Sequence, residues 1–184
     1  MAVEPPDPLL ADGLVVLRPM DARDISAVER AASDREIAKW FDLRTRRPAE
    51  YLSSKRERWA NGTGASFAIC DPARPGICLG HVFVERQEGN RGSIGYWLLE
   101  EGRGRGRAAS AVRLAATWAL SAFRLGRLEL HTDPKNVASQ RVAERAGFTR
   151  EGVLRAYTGR EDGTRADAVV YSLIPDDLSA SRLT

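Results

Sequence analysis

Apolar positions change period several times along the chain, and each change marks an element. Leu14-Val15-Val16-Leu17-Arg18-Pro19 reads as a strand closed by proline, after which Asp21 and Asp24 open a helix carrying Ile25, Val28 and Ala32 at helical spacing. Helical patterns follow over residues 34–41 and from Pro48 through Tyr51, Leu52 and Trp59, the latter stopped by Asn61-Gly62-Thr63-Gly64. Three strands, 66–70, 77–86 and 93–99, are separated by Pro72, Pro75 and Gly76 and then by Gly89-Asn90-Arg91-Gly92; both are turn sequences, and they predict an antiparallel meander. A long helix over 106–125 sets Ala108, Ala111, Val112, Ala115, Ala119 and Ala122 on one small-residue face, with Leu114 and Trp118 beside it. A strand at 128–132, a helix at 136–146 ended by Gly147, and strands at 149–157 and 166–173 around a turn at 159–163 complete the pattern. The order predicts a mixed α/β fold: one domain over residues 14–174, its central sheet largely antiparallel and flanked by helices, with dispensable tails at 1–13 and 175–184.

At 184 residues the chain can bury a core without disulfide staples, and a hydrophobic share of 43% with 29% charged residues is that of a soluble globular domain. No apolar run reaches the roughly 20 residues a bilayer requires, and the acidic, proline-rich start lacks a secretory pattern, so a cytoplasmic protein is expected. In that reducing setting Cys70 and Cys78, eight apart on neighbouring strands, read as two buried thiols. A net charge of +3 is too small and too scattered to favour a nucleic-acid partner. The two histidines, His81 and His131, and the two cysteines show no metal-ligand spacing.

Candidate chemistry concentrates at Arg103-Gly104-Arg105-Gly106-Arg107-Ala108, between a strand end and the start of the long helix. There up to four backbone N–H groups lack helical partners and the helix dipole is positive. Gly104 and Gly106 carry no Cβ to hold a phosphate off the backbone, and Arg103, Arg105 and Arg107 can add charge-assisted hydrogen bonds of roughly 1.5 to 3 kcal/mol each before screening. A pyrophosphate suits the loop. The Gly-Lys-Ser/Thr of a nucleotide-hydrolysing loop and the three-glycine spacing of a dinucleotide fold are both missing.

These residues carry a resemblance. Arg103, Gly106 and Ala108 fit the Arg/Gln-x-x-Gly-x-Gly/Ala loop of the GNAT superfamily of N-acetyltransferases. Gly95-Tyr96-Trp97-Leu98-Leu99 before the loop, and Asn136-Val137-Ala138-Ser139 with Arg145-Ala146-Gly147-Phe148 after it, are similar to the ribosomal-protein (Rim-type) branch. The resemblance implies acetyl-CoA as co-substrate, held by residues 103–108 and by the backbone of Trp97, Leu98 and Leu99 in a gap between strands 93–99 and 128–132. It also implies a backbone N–H that polarises the thioester carbonyl. Asn136, otherwise a plain helix N-cap, would touch the cofactor arm, and Ser139 would stand near the sulfur as proton donor. The implied reaction is direct transfer of acetyl to a primary amine in a ternary complex. The acceptor is a protein N-terminus or a small molecule, with no membrane partner, and the resemblance allows a homodimer.

Such a reaction calls for a general base near neutral pH. Many Rim-like sequences have a glutamate two residues before the Gly-Tyr pair, and here that position holds Ser93. Glu85 on the adjacent strand is the first substitute and His81 the second. Tyr157 and Asp167 flank the last hairpin, on the side where an acceptor would be oriented. The missing glutamate also sustains an alternative, a non-catalytic acyl-CoA-binding module.

Overall fold

Alternating strands and amphipathic helices assemble around one twisted sheet. The computed structural model describes residues 3–43, 47–160 and 163–180. In chain order the elements are β1 (Leu10–Ala11), β2 (Val16–Pro19), α1 (Ile25–Ser33), α2 (Arg35–Ala38), α3 (Pro48–Asn61), β3 (Gly64–Asp71), β4 (Arg74–Gln87) and β5 (Arg91–Leu98). They continue with α4 (Arg107–Ala122), β6 (Arg127–Thr132), α5 (Val137–Arg145), β7 (Thr149–Gly159), β8 (Arg165–Leu173) and α6 (Pro175–Ala180). The sheet order is β1-β2-β3-β4-β5-β6-β8-β7. Each neighbouring pair is antiparallel except β5 with β6, which run parallel across the α4 crossover.

Local chemistry explains most boundaries. Gly62, left-handed at φ 70°, ends α3, and Gly89 (φ 70°) with Asn90 (φ 55°) makes the tight β4–β5 hairpin that right-twisted strands prefer. Asp34 caps α2 by accepting the N–H groups of Glu36 and Ile37. That helix ends after one turn, where Trp40 donates three residues back to Ile37 O, so of the helix expected over 34–41 only Arg35–Ala38 is formed.

Two cores flank the sheet. On one face the alanine stripe of α4 (Ala111, Ala115, Ala116 and Ala119, all without exposure) lies against Val82, Val84, Ile94, Leu128 and Leu130. Small side chains let the helix approach closely, which fixes where its N-terminus points. On the other face α1 and α3 cover Ala68, Cys70, Trp97 and Leu99 with Val28, Ala31 and Leu52. Cys70 and Cys78 sit directly opposite each other on β3 and β4 as free thiols; the Cys78 thiol donates to Gly80 O at 3.0 Å, and burial pushes it up to about 12.

Parts of the segments expected to be tails dock on the domain. β1 pairs with β2, and Asp12 accepts from Ser110 Oγ and, at 3.1 Å, from Arg113, tying the N-terminal segment to α4. At the other end Leu178 of α6 packs on the larger core. Short polar-rich stretches with single apolar anchors give too little periodicity to reveal such docking.

The feature that positions the site is a break in pairing. β5 and β6 are bonded only where Arg91, Gly92 and Ser93 meet Arg127, Leu128 and Glu129. Beyond Ser93 and Glu129 the strands separate, as the resemblance implies.

Candidate active site

The separated strands open a cavity of about 950 Å³, walled by Gly95 and Tyr96 of β5, Leu130 and His131 of β6, Ser139 of α5 and Asp167 of β8. Leu99 donates its N–H to Leu79 O and accepts from Gly102 N–H, both at 2.9 Å, and two residues earlier Trp97 spends its backbone groups on β4. Strand alternation then turns the N–H and C=O groups of Tyr96 and Leu98 toward the gap. Among the expected residues Trp97, Leu98 and Leu99, the ladder thus leaves Leu98 and adds Tyr96. The Trp97 side chain is buried on the α3 side, its indole N–H 3.4 Å from Tyr51 Oη. A Cβ at Gly95 would stand 2.5 Å from Cζ of Phe83, whose ring lies across it as part of the cavity wall.

The loop at 103–108 enters α4 as its spacing predicts, and its glycines are needed for their conformation. Gly104 (φ +79°) and Gly106 (φ +75°) are both left-handed, and Gly106 is the N-cap. The first amide to find an acceptor on this helix is that of Ser110, bonded to Gly106 O at 3.1 Å, so the preceding amides are the orphan donors of a helix start. The three arginines divide. Arg103 bonds Leu98 O at 2.9 Å and Asp34 Oδ2 at 2.6 Å, and Arg107 pairs with Asp71 of β3; both brace the loop. Arg105 is exposed, and Ala108 is partly buried on the first turn. The loop thus presents backbone amides and the exposed Arg105, while Arg103 and Arg107, expected to face phosphate, are held by Asp34 and Asp71.

Asn136 caps α5 through Oδ1, which accepts the Ser139 N–H at 3.0 Å, and both residues line the cavity. Ser139 stands near the Tyr96 side chain, across the gap from α5 to β5, and burial pushes the Tyr96 phenol up although Ser139 opposes the rise, so it keeps its proton. Tyr96 was visible in the sequence only as part of a motif.

The expected bases do not reach the cavity. Glu85 is opposite Ser93 on β4, but Arg58 Nη1 at 3.2 Å and Lys55 Nζ at 3.7 Å hold it toward α3, outside the cavity wall. His81 is fully buried behind Phe83, its Nδ1 2.7 Å from Tyr51 Oη, and burial drives it well below 6.5. Both lie on the strand adjacent to the gap, but α3 seals that face of β4 at these positions.

On the far wall, β7 carries two more residues than β8 between Leu154 and Thr158, and Ala156 sits at φ +51°. Asp167 Oδ1 accepts the Ala156 N–H at 2.8 Å and Arg165 bonds Tyr157 O at 2.8 Å, so the bulge is fixed. It brings the Tyr157 ring to 4.8 Å from His131. His131 Nε2 in turn lies 3.2 Å from Glu129 Oε2, and Arg127 Nε bonds Glu129 Oε1 at 2.7 Å.

A splayed pair of parallel strands beside an orphan-amide helix start is the arrangement that the resemblance to the N-acetyltransferases implies. The sequence profile of the Acetyltransferase (GNAT) domain matches residues 15–149, and the chain belongs to that family. Over 91% of this chain and 97% of the other it is 26% identical to the Bacillus subtilis protein described as "Uncharacterized N-acetyltransferase YoaA". It is 38% identical over 85 residues to "Probable N-acetyltransferase YjcK" of the same organism, 46% of the length of each. Among solved structures, Mycobacterium smegmatis RimJ in complex with CoA-disulfide is 26% identical with a TM-score of 0.78, covering 93% of this chain and 88% of RimJ. The ribosomal-protein-S5-alanine acetyltransferase of Vibrio fischeri, at 22% identity and TM-score 0.76 over 92% of this chain and 97% of its own, shares the fold.

Proposed function

We propose that this acyltransferase moves acetyl from acetyl-CoA directly to a primary amine, and that the acceptor is a protein or peptide N-terminus. The observation that carries the reading is the gap beyond Ser93 and Glu129, walled by Gly95 and Tyr96, on the strand whose end leads into the 103–108 loop. Orphan amides at Gly106 to Ala109 suit a pyrophosphate, the free strand edge suits an amide-bearing arm, and no Cβ stands in the way at Gly104 or Gly106. Bound there, acetyl-CoA supplies an activated acyl group, and the chain supplies position and charge. N–H groups on the β5 edge favour the oxygen that becomes negative as the amine adds. Tyr96 and Ser139 offer a proton to the departing thiolate, a modest service because a thiol of pKa near 8.5 leaves readily.

Likeness to the ribosomal-protein-S5-alanine acetyltransferase of Vibrio fischeri supports the choice of a peptide amine, as does a cavity wide enough for several side chains. The test is consumption of acetyl-CoA across alanine- and serine-initiated hexapeptides, spermidine and kanamycin. Turnover on the peptides is expected; turnover on kanamycin or spermidine alone overturns the acceptor, and binding of acetyl-CoA without any turnover marks an acyl-CoA-binding module.

A further inference from the structure

With Glu85 and His81 outside the cavity, acetyl transfer still requires a group to take the proton of the attacking amine. We propose that His131 is that general base and that Glu129 is the residue that positions it; the inference rests on the acetyl-transfer reading above. β6 puts Arg127, Glu129 and His131 on one face at successive alternate positions. Glu129, opposite Ser93, belongs to the last bonded pair of β5 and β6, and His131 is the next residue on that face, in the wall of the gap itself. The row therefore leads from a guanidinium through a carboxylate to an imidazole at the point where the strands part.

The two nitrogens of His131 are unequal. Nε2 is buried 3.2 Å from Glu129 Oε2, within ion-pair distance but without a hydrogen bond as the side chains stand, so the nitrogen left for the cavity is Nδ1. With its proton on Nε2, beside the carboxylate, the neutral ring presents a lone pair at Nδ1. The ring cannot swing freely, because Tyr157 covers it at 4.8 Å from the β7 bulge. Asp167, which also lines the cavity, holds the Ala156 N–H and with it that bulge.

The charges facing His131 decide its state. From its own strand come Glu129 and Arg127, from β7 Tyr157, from β8 Asp167, and beyond it the Asp133–Arg160 pair at 3.3 Å and Lys135; β5 presents uncharged Ser93 and Tyr96. Burial holds the imidazole below 6.5, Glu129 opposing and Arg127 assisting, so the ring is neutral at pH 7. As the amine nitrogen bonds to the acetyl carbon, one N–H proton passes to Nδ1, and the positive charge is met by Glu129 through Nε2–H. The C–S bond breaks with its electron pair on sulfur, which takes a proton from the Tyr96–Ser139 pair; His131 returns its proton to water at the cavity mouth, and water restores that pair. Amine plus thioester give amide plus thiol.

The chain has two histidines, so imidazole NMR resolves His131 once His131→Gln removes its signal. The expected titration has its midpoint below 6.5, and Glu129→Gln moves it lower still. With saturating acetyl-CoA and the hexapeptide turned over in the acceptor screen, the acid limb of kcat should track that midpoint and shift with Glu129→Gln. His131→Gln should lower kcat about 10²- to 10³-fold near pH 7, with the loss shrinking toward pH 10. Thermal stabilisation by acetyl-CoA should be unchanged in both variants. Full kcat in a folded His131→Gln protein, or a loss that ignores pH, overturns the base assignment and leaves acetyl transfer standing. A His131 titration indifferent to Glu129→Gln overturns the pairing. Absence of wild-type turnover on every acceptor refutes the acetyl-transfer reading itself. Should His131→Gln not fold, the wild-type and Glu129→Gln profiles decide alone.

Discussion

Placing a carboxylate at Gly106 should separate folding from cofactor binding. The residue is held at φ +75°, a conformation that costs an L-side chain about 1–2 kcal/mol, but the nearest atom to a new Cβ is Leu14 Cδ1 at 3.7 Å, an ordinary contact. Gly106→Ala and Gly106→Glu should therefore both fold, with Tm lowered by about 2–8 °C for a chain of this size. Affinity should divide them. The Glu side chain brings negative charge to amides that no helical carbonyl occupies, and losing two charge-assisted hydrogen bonds of about 1.5–3 kcal/mol each corresponds to roughly 10²- to 10⁴-fold. Gly106→Ala keeps the charge and should lose far less. Calorimetric titration with CoA reads both values. Wild-type affinity in folded Gly106→Glu would show that the loop does not face the pyrophosphate.

Four further outcomes are expected. Acetyl-CoA at a hundred times its Kd should stabilise the protein by about 2.7 kcal/mol, and a melting curve unmoved by millimolar ligand would contradict the site. Gly95→Ala should destabilise by about 1–3 kcal/mol, because Phe83 must leave its place; an unchanged urea midpoint would mean the ring moves freely. Tyr96→Phe and Ser139→Ala should each lower kcat by about tenfold or less, since the thiolate departs with little help, and a loss above about a thousandfold would assign them a larger role. Stability should decline as pH falls below about 6.5: buried His81 resists the proton that the unfolded chain accepts, so its contribution is whole above the unfolded value and is lost toward the depressed folded one. That slope is at most about 1.4 kcal/mol per pH unit per histidine, and His81→Phe should flatten it in urea melts at pH 5 and 7.

Much of this was readable from residue order. Gly62, Gly89-Asn90 and Gly147 mark chain reversals by demanding positive φ, and the alanine stripe of α4 announces close packing on a sheet. The 103–108 loop was legible because glycines at a helix start have few structural uses. Side-chain destinations were not. Nothing local reveals that Asp34 and Asp71, distant in sequence, hold Arg103 and Arg107, or that α3 seals the β4 face carrying His81 and Glu85. His131 escaped notice for the same reason: its meaning depends on where β5 leaves β6, on Glu129 behind it, and on a bulge in β7 that no turn residue signals.

Isotope-labelled acetyl-CoA followed by mass spectrometry tests acetyl transfer in this cleft most directly. With a hexapeptide present, the label should appear on the N-terminal amine of the peptide and form at the rate at which free CoA thiol is released. With the peptide omitted, none should become attached to the protein. Label retained covalently on Ser139 or a cysteine, or label that never leaves the thioester while the ligand stays bound, would contradict direct transfer at the β5–β6 gap.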